Sequence, residues 1–230
     1  MKKKERKTFI VGDVHGCFKE FLSLLKSIDY SSTKYRLILV GDVINRGPYS
    51  LEMLHWVKTH KIEMVRGNHE QNFINRIKNN KILSSTLKKL KEDMGNSLNS
   101  WIKWLNKIPF YIEEKDFLVV HAGLVPQKKP ENSKPQFLMN IRTWGKKGKD
   151  IKSPIYPAWH DFYKEKKLVV YGHWAEQGLK IKKNSIGLDT GCVYGFQLSG
   201  VLLPERKIIQ VPALKNYNSI HLSKKSHYQK

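Results

Sequence analysis

Leu37-Ile38-Leu39-Val40-Gly41-Asp42-Val43-Ile44-Asn45-Arg46-Gly47 decides how this chain is read. A short aliphatic run closed by glycine is the pattern of a buried strand. The strand hands over Asp42, Asn45 and Arg46 at its C-terminal end, the edge where open α/β sheets build their sites. Four other places repeat the pattern. Thr8-Phe9-Ile10-Val11 leads into Gly12-Asp13-Val14-His15-Gly16, and Glu63-Met64-Val65 into Gly67-Asn68-His69-Glu70. Phe117-Leu118-Val119-Val120 leads into His121-Ala122-Gly123, and Leu168-Val169-Val170-Tyr171 into Gly172-His173-Trp174. Asp, Asn and His gathered on one edge are donors that divalent cations accept.

Between the strands the apolar period becomes helical. Phe18, Phe21, Leu22, Leu24, Leu25 and Ile28 recur at helix spacing, so residues 8–40 read as strand, helix, strand, with a parallel pair and a right-handed crossover. Leu51, Leu54, Trp56 and Val57 predict a second helix. Residues 71–106 read as a helical cap beside the site, its tryptophans packing rather than binding. Residues 110–112 and 117–120 read as a hairpin, which predicts a second, mostly antiparallel sheet. Later strands fall at 169–171, 186–188, 197–203 and 208–211. One domain is expected over residues 1–214, followed by a basic, disordered tail over 215–230 with no apolar period.

At 230 residues and 40% hydrophobic content the chain can bury a core. No stretch has the apolar length of a membrane span. The lysines at positions 2–4 precede only three apolar residues before a ligand motif, so a cytoplasmic protein is expected rather than an exported one. The net charge of +22 favours anionic partners: nucleotides, phosphoproteins or nucleic acid. Its lysines form no single stripe, which describes a solvated surface better than a dedicated nucleic-acid face. Cys17 and Cys192 read as free thiols and buried filler. Each directly follows a site motif, so oxidation of either would disturb the site.

Asp13 and His15, two residues apart, would share one side of a strand and grip one cation. Asp42 has two oxygens and can bridge; Asn68, His121 and His173 complete six donors for two cations about 3.5–4 Å apart. With only two carboxylates the centre keeps excess positive charge, which acidifies water and attracts phosphate. The expected chemistry is that of a two-metal phosphoesterase.

The ordered motifs resemble the calcineurin-like metallophosphoesterase superfamily, in its phosphoprotein-phosphatase-like branch, from Phe9 to Val211. Segments 41–48, 101–124, 170–175 and 188–195 are similar to bacterial bis(5′-nucleosyl)-tetraphosphatases. The resemblance implies an α/β (α+β) fold, a two-sheet β-sandwich flanked by helices. It implies Asp13, His15 and Asp42 on one metal, and Asp42, Asn68, His121 and His173 on the other. Manganese is the first expectation, with Co, Fe, Ni or Mg also fitting O/N donors. His69 would be the general acid, Arg46 and Arg142 the phosphoryl clamp, and the reaction hydrolysis of diadenosine tetraphosphate to two ADP. Trp144, Trp159, Phe162, Tyr163, Trp174 and Tyr194 are available to stack on adenine, with Trp174 and Tyr194 taken as substrate-binding. Asp189 either orients a metal-bound histidine or serves a turn.

Two departures stand out. Asn45 occupies the place where protein Ser/Thr phosphatases carry Asp, and it holds no negative charge near His69. The stretch between His121 and His173 is shorter than in the familiar symmetrical enzymes, which leaves asymmetrical cleavage open. Three other readings compete: a serine/threonine or tyrosine protein phosphatase, a hydrolase of nucleotides or RNA 5′ ends, and a non-catalytic nucleic-acid binder with a vestigial site.

Overall fold

Alternate residues of the central strands enter different cores, because successive side chains leave a strand on opposite faces. The computed structural model describes residues 6–218. In it, β1 (Lys7–Val11) pairs in parallel with β2 (Tyr35–Leu39), and β2 with the short β3 (Glu63–Met64). β9 (Gln197–Leu203) lies antiparallel on the other side of β1, and β10 (Lys207–Pro212) antiparallel to β9. The second sheet runs β4 (Tyr111–Glu113), β5 (Phe117–Val120), β6 (Leu168–Tyr171), β8 (Ser185–Gly187), β7 (Lys180–Lys182). Ile10, Ile38, Val40, Val119, Val170, Ile186 and Val201 meet between the sheets.

Phe9, Val11, Leu37 and Leu39 point the other way, under helices α1 (Phe18–Ser27), α2 (Ser50–Thr59), α3 (Asn68–Lys78), α4 (Ser85–Met94) and α5 (Leu98–Leu105). Leu118, Val120, Val169 and Tyr171 face a third cluster with Leu138, Ile141 and Trp159, partly covered by α6 (Pro135–Asn140). Burying each such side chain contributes about 1.5–3 kcal/mol. Buried Arg66 closes the helical cap: its guanidinium donates to the Asn106 and Ile108 carbonyls (2.5 and 2.9 Å) and to Gln71 Oε1 (2.9 Å). That fork ties the end of α5 to the start of α3.

The second sheet is mixed rather than mostly antiparallel: β5–β6 and β6–β8 are parallel, β4–β5 and β7–β8 antiparallel. A hairpin constrains only its own pair. The long excursion from β5 to β6 is a crossover connection, and it lets both strands end at the same edge. The disorder expected from residue 215 does not hold over residues 215–218, the described part of that stretch. Leu214 N and the Tyr217 hydroxyl both donate to Glu20 Oε1 (3.0 and 2.8 Å), and Tyr217 N donates to Val193 O (3.0 Å). Residues 219–230 lie outside the described residues, as do 1–5. Among the described residues no helix is long and apolar enough to cross a membrane.

Candidate active site

The motifs follow β1, β2, β3, β5 and β6, neighbours whose C-terminal ends reach one edge of the sandwich. The loops there are tightly bent. His15, Asp42, Asn45, Arg46 and His173 all have positive φ, between 48° and 74°. Left-handed backbone at non-glycine residues is unfavourable and persists only where the surroundings impose it.

Glu70 supplies much of that constraint. It is fully buried on α3, and its carboxylate accepts the backbone N–H of Asp42 (2.9 Å), Val43 (2.9 Å), Ile44 (3.3 Å) and Gly67 (2.9 Å). Burial pushes its pKa up to about 7, while those N–H groups favour the charged form. A Cβ on Gly67 would lie 2.1 Å from Asp42 Oδ1, and one on Gly172 1.8 Å from Asp13 Oδ1, so both carboxylates need glycine beside them. In the sequence, Glu70 closes the Gly-Asn-His-Glu motif with no task of its own. Its position three residues after Gly67, at the start of a helix, is the available signal.

Two groups of potential ligands form, His15–Asp42–His69 and Asp42–His121–His173, with Asp42 in both. Hydrogen bonds distinguish the histidines. The Val40 carbonyl accepts from His121 Nδ1 (2.8 Å), so a neutral His121 offers a lone pair at Nε2. That nitrogen faces Asn68 Oδ1 at 2.9 Å and Asp42 Oδ2 at 3.3 Å. With His121 neutral, three acceptors converge there, an arrangement that a bound cation or a proton on Nε2 satisfies. Burial opposes protonation of His121, yet Asp42 pushes its pKa up to about 10. The same Asn68 oxygen lies 2.8 Å from His173 Nδ1, and buried His173 Nε2 has no hydrogen-bond partner. His15 Nδ1 donates to Ile44 O (3.1 Å), again leaving the lone pair on Nε2, where it accepts from Arg46. These donors fit divalent metals.

His69 is arranged oppositely. Asn45 Nδ2 lies 2.7 Å from its Nδ1, while Asn45 Oδ1 accepts from Arg46 N (2.9 Å) and Thr86 Oγ1 (2.5 Å). A backbone N–H can only donate, so the amide oxygen must face Arg46 and the amide nitrogen must face His69. Burial, reinforced by Arg46 and opposed by Asp42, lowers His69 to about 4. Neutral His69 therefore presents Nε2–H, not a lone pair, toward Asp42 Oδ2 at 3.8 Å.

Asp13 stands beside these groups rather than within either. The expected strand alternation does not apply, since β1 ends at Val11 and His15 turns through a left-handed conformation. The Asp13 carboxylate accepts His173 N at 3.1 Å, and burial together with Asp189 holds its pKa well above the ordinary value. Asp189 accepts Gly191 N (3.2 Å), the turn alternative, and burial pushes its pKa up to about 6.

Arg46 donates to His15 Nε2 (3.0 Å) and lies over the Tyr194 ring at 5.3 Å. Arg142 pairs with Glu176 (2.8 Å), and its buried Nε has no partner. Trp174 is half-buried next to His173. Trp159 is corrected: it is 1% exposed and wedged against Gly123 and Tyr171, so it cannot stack on a base. Phe162 and Tyr163 line a separate cavity of about 610 Å³ with Trp159, Leu118 and Leu124, on the outer face of the second sheet. Cys17 and Cys192 are buried together in the core on the helix side of the first sheet.

Known proteins resemble this chain over most of its length. The symmetrical bis(5′-nucleosyl)-tetraphosphatase of Methylobacillus flagellatus is 29% identical, covering 89% of this chain and 95% of its own. The asymmetrical bis(5′-nucleosyl)-tetraphosphatase of Bacillus velezensis is 28% identical, covering 91% and 94%. A crystal structure described as a candidate diadenosine tetraphosphatase superposes with a TM-score of 0.81 at 27% identity, over 93% of this chain and 96% of that one. The family model of the calcineurin-like phosphoesterases, which are hydrolases using divalent metals, matches residues 6–200, and with the two-sheet fold it establishes that the chain belongs to that family.

Proposed function

We propose that this chain is a cytoplasmic, manganese-dependent hydrolase of diadenosine tetraphosphate or related dinucleoside polyphosphates, cutting symmetrically to two ADP. The observation that carries the reading is Asp42, whose carboxylate is shared by two groups of largely buried donors on one sheet edge, with Arg46 beside them. Asp13, His15 and Asp42 would hold one cation, and Asp42, Asn68, His121 and His173 the other. Bound there, the two cations would supply charge that attracts phosphate and acidifies water. Arg46 and Arg142 would hold phosphoryl oxygens, since guanidinium groups bind them bidentately and stay charged. Trp174 and Tyr194 would flank the nucleoside. His69, with its Nε2–H turned into the site, would stand at the leaving oxygen.

One observation favours a second reading, asymmetrical cleavage to AMP and ATP. The asymmetrical relative aligns over 235 positions, close to the 230 residues of this chain, whereas the symmetrical one needs 269. Incubation with manganese and diadenosine tetraphosphate, beside a phosphoserine peptide, separates the outcomes by chromatography. ADP alone is the expected product. AMP with ATP would select the second reading, and turnover of the peptide alone would overturn both.

A further inference from the structure

His69, His15 and His121 all turn Nε2 into the site, but of the three only neutral His69 carries its proton there. The difference originates outside the motif that contains His69. Asn45 is held at both ends: its oxygen takes Arg46 N and the hydroxyl of Thr86, and its amide nitrogen is thereby turned onto His69 Nδ1. Thr86 lies on α4, inside the helical cap, 41 positions along the chain from Asn45. Ser84 Oγ approaches the same oxygen at 3.5 Å. Asn45 is itself strained, at φ 74°, with its backbone N–H donated to Ser50 Oγ (3.0 Å). The amide has no freedom to turn over without setting its NH2 against the N–H of Arg46.

Nδ1 of His69 thus faces a hydrogen-bond donor and must accept. An imidazole in this state has one proton, on Nε2. It can lend that proton in a hydrogen bond. To give it away it would become an imidazolate, whereas an imidazolium, which can give up a proton and return to neutrality, needs a second proton on Nδ1, where Asn45 already points an N–H.

Hydrolysis forms a P–O bond from water and breaks the P–O bond to the departing group, whose oxygen keeps the electron pair; a proton from the attacking water passes to solvent. When the departing oxygen belongs to a phosphate, that group carries the charge unaided. When it belongs to an alcohol, the nascent alkoxide must receive a proton.

We infer that Asn45, oriented by Thr86 from the cap, is a positioning residue that keeps His69 in its Nε2–H form and so restricts the site to substrates whose leaving oxygen needs no proton, phosphoanhydrides above all, and against phosphoserine-type esters. This rests on the hydrolase reading above. It assigns the cap a part in substrate choice, through a single threonine hydroxyl.

The test uses the manganese-loaded full chain and a series of phosphate esters with increasingly basic leaving oxygens: 4-nitrophenyl, phenyl and benzyl phosphate. Asn45→Asp offers His69 Nδ1 an acceptor in place of a donor. The benzyl to 4-nitrophenyl ratio of kcat/KM is expected to rise by about 10²-fold in the variant, the lower end of what a general acid contributes. An unchanged ratio overturns the inference. A second measurement is independent of turnover and of the variant's folding. Long-range proton–nitrogen NMR correlation on the magnesium-loaded wild-type protein should show Nε2 of His69 protonated and Nδ1 bare; the reverse assignment overturns it as well. If the wild type leaves diadenosine tetraphosphate intact but cleaves 4-nitrophenyl phosphate with a steep fall across the series, the nucleotide reading fails and this inference stands. If the tetraphosphate is cleaved and Asn45→Asp leaves the ratio unmoved, the reverse holds.

Discussion

The two halves of the site are built to different tightness. On the side of the first sheet, His15 N donates to Asp42 O (2.8 Å), Gly16 N to Val43 O (2.8 Å) and Gly47 N to His15 O (2.9 Å), with Glu70 gathering four more N–H groups beneath. On the side of the second sheet, His121 is pinned to Val40 O, Gly172 N to His121 O (2.7 Å) and His173 N to Asp13, while the Arg142 guanidinium, among the described residues, pairs with Glu176, a carboxylate 49% exposed. An ion pair that exposed is worth about 0.2–1 kcal/mol and is readily exchanged. The buried, unpartnered Nε of Arg142 asks for an acceptor that a phosphate oxygen could provide. The contrast suggests a division of labour: the interlocked half presents the metals and Arg46 in fixed geometry, and the looser half adapts to the rest of the substrate.

Breaking the shared carboxylate should collapse the contrast altogether. Asp42→Asn is expected to lower turnover by about 10³-fold or more and to abolish stoichiometric metal binding, measured by elemental analysis beside kinetics. A fully active variant would remove the basis of the proposed function. The two arginines test the division directly. Arg46→Ala should lower kcat by about 10²-fold or more. Arg142→Ala should act mostly on KM, by about tenfold, because it removes binding that substrate and transition state share; equal effects on kcat would mean the halves are equally fixed. Glu70→Gln keeps the shape but sets an NH2 against backbone donors. It should weaken metal affinity by about 10–100-fold and lower Tm, whereas an unchanged affinity would show that the loops hold themselves.

The smallest effect concerns pH. His160 is 6% exposed, its Nε2 accepts from Gln177 Nε2 (3.0 Å), and Gln177 Oε1 accepts from the Tyr171 hydroxyl (2.7 Å), so it braces the chain just after His173. Burial, with Lys182, lowers it from 6.5 to about 4. The folded protein then resists a proton that the unfolded chain accepts. The stabilisation is complete above about pH 6.5 and is lost as the pH falls toward 4, at a cost of about 1–3 kcal/mol. His160→Gln should flatten that part of the Tm profile, and hydrogen exchange at pH 5 should show the second half loosening first. Identical profiles in wild type and variant would mean that His160 carries no part of the acid sensitivity.

Much of this was legible in the chain, for identifiable reasons. Strands ending in Gly-Asp, Gly-Asn-His or His-Ala-Gly announce themselves because both the apolar run and the polar group are local. The second sheet is only half legible, since its parallel pairs depend on a long connection that carries no local period. Glu70 was visible but mute: a carboxylate in the first turn of a helix is ordinary until four backbone donors are found around it. Thr86 had no signal at all, being one polar residue in a lysine-rich helix far along the chain. The ordering of residues 215–218 was missed because it comes from Glu20, a buried acceptor on α1 that no tail composition reveals.

The residue types themselves determined the family, the sheet edge that carries the site and the donors available to metals, because each is a matter of neighbours within a few positions. Only the folded chain decided which nitrogen of each histidine keeps its proton, why Asp13 stands apart from the ligand groups, and what holds Asp42 in a conformation it would not choose. Those outcomes depend on partners such as Val40, Ile44, Asn45 and Glu70, brought in from other segments by packing, and an imidazole cannot commit its proton until its partner arrives.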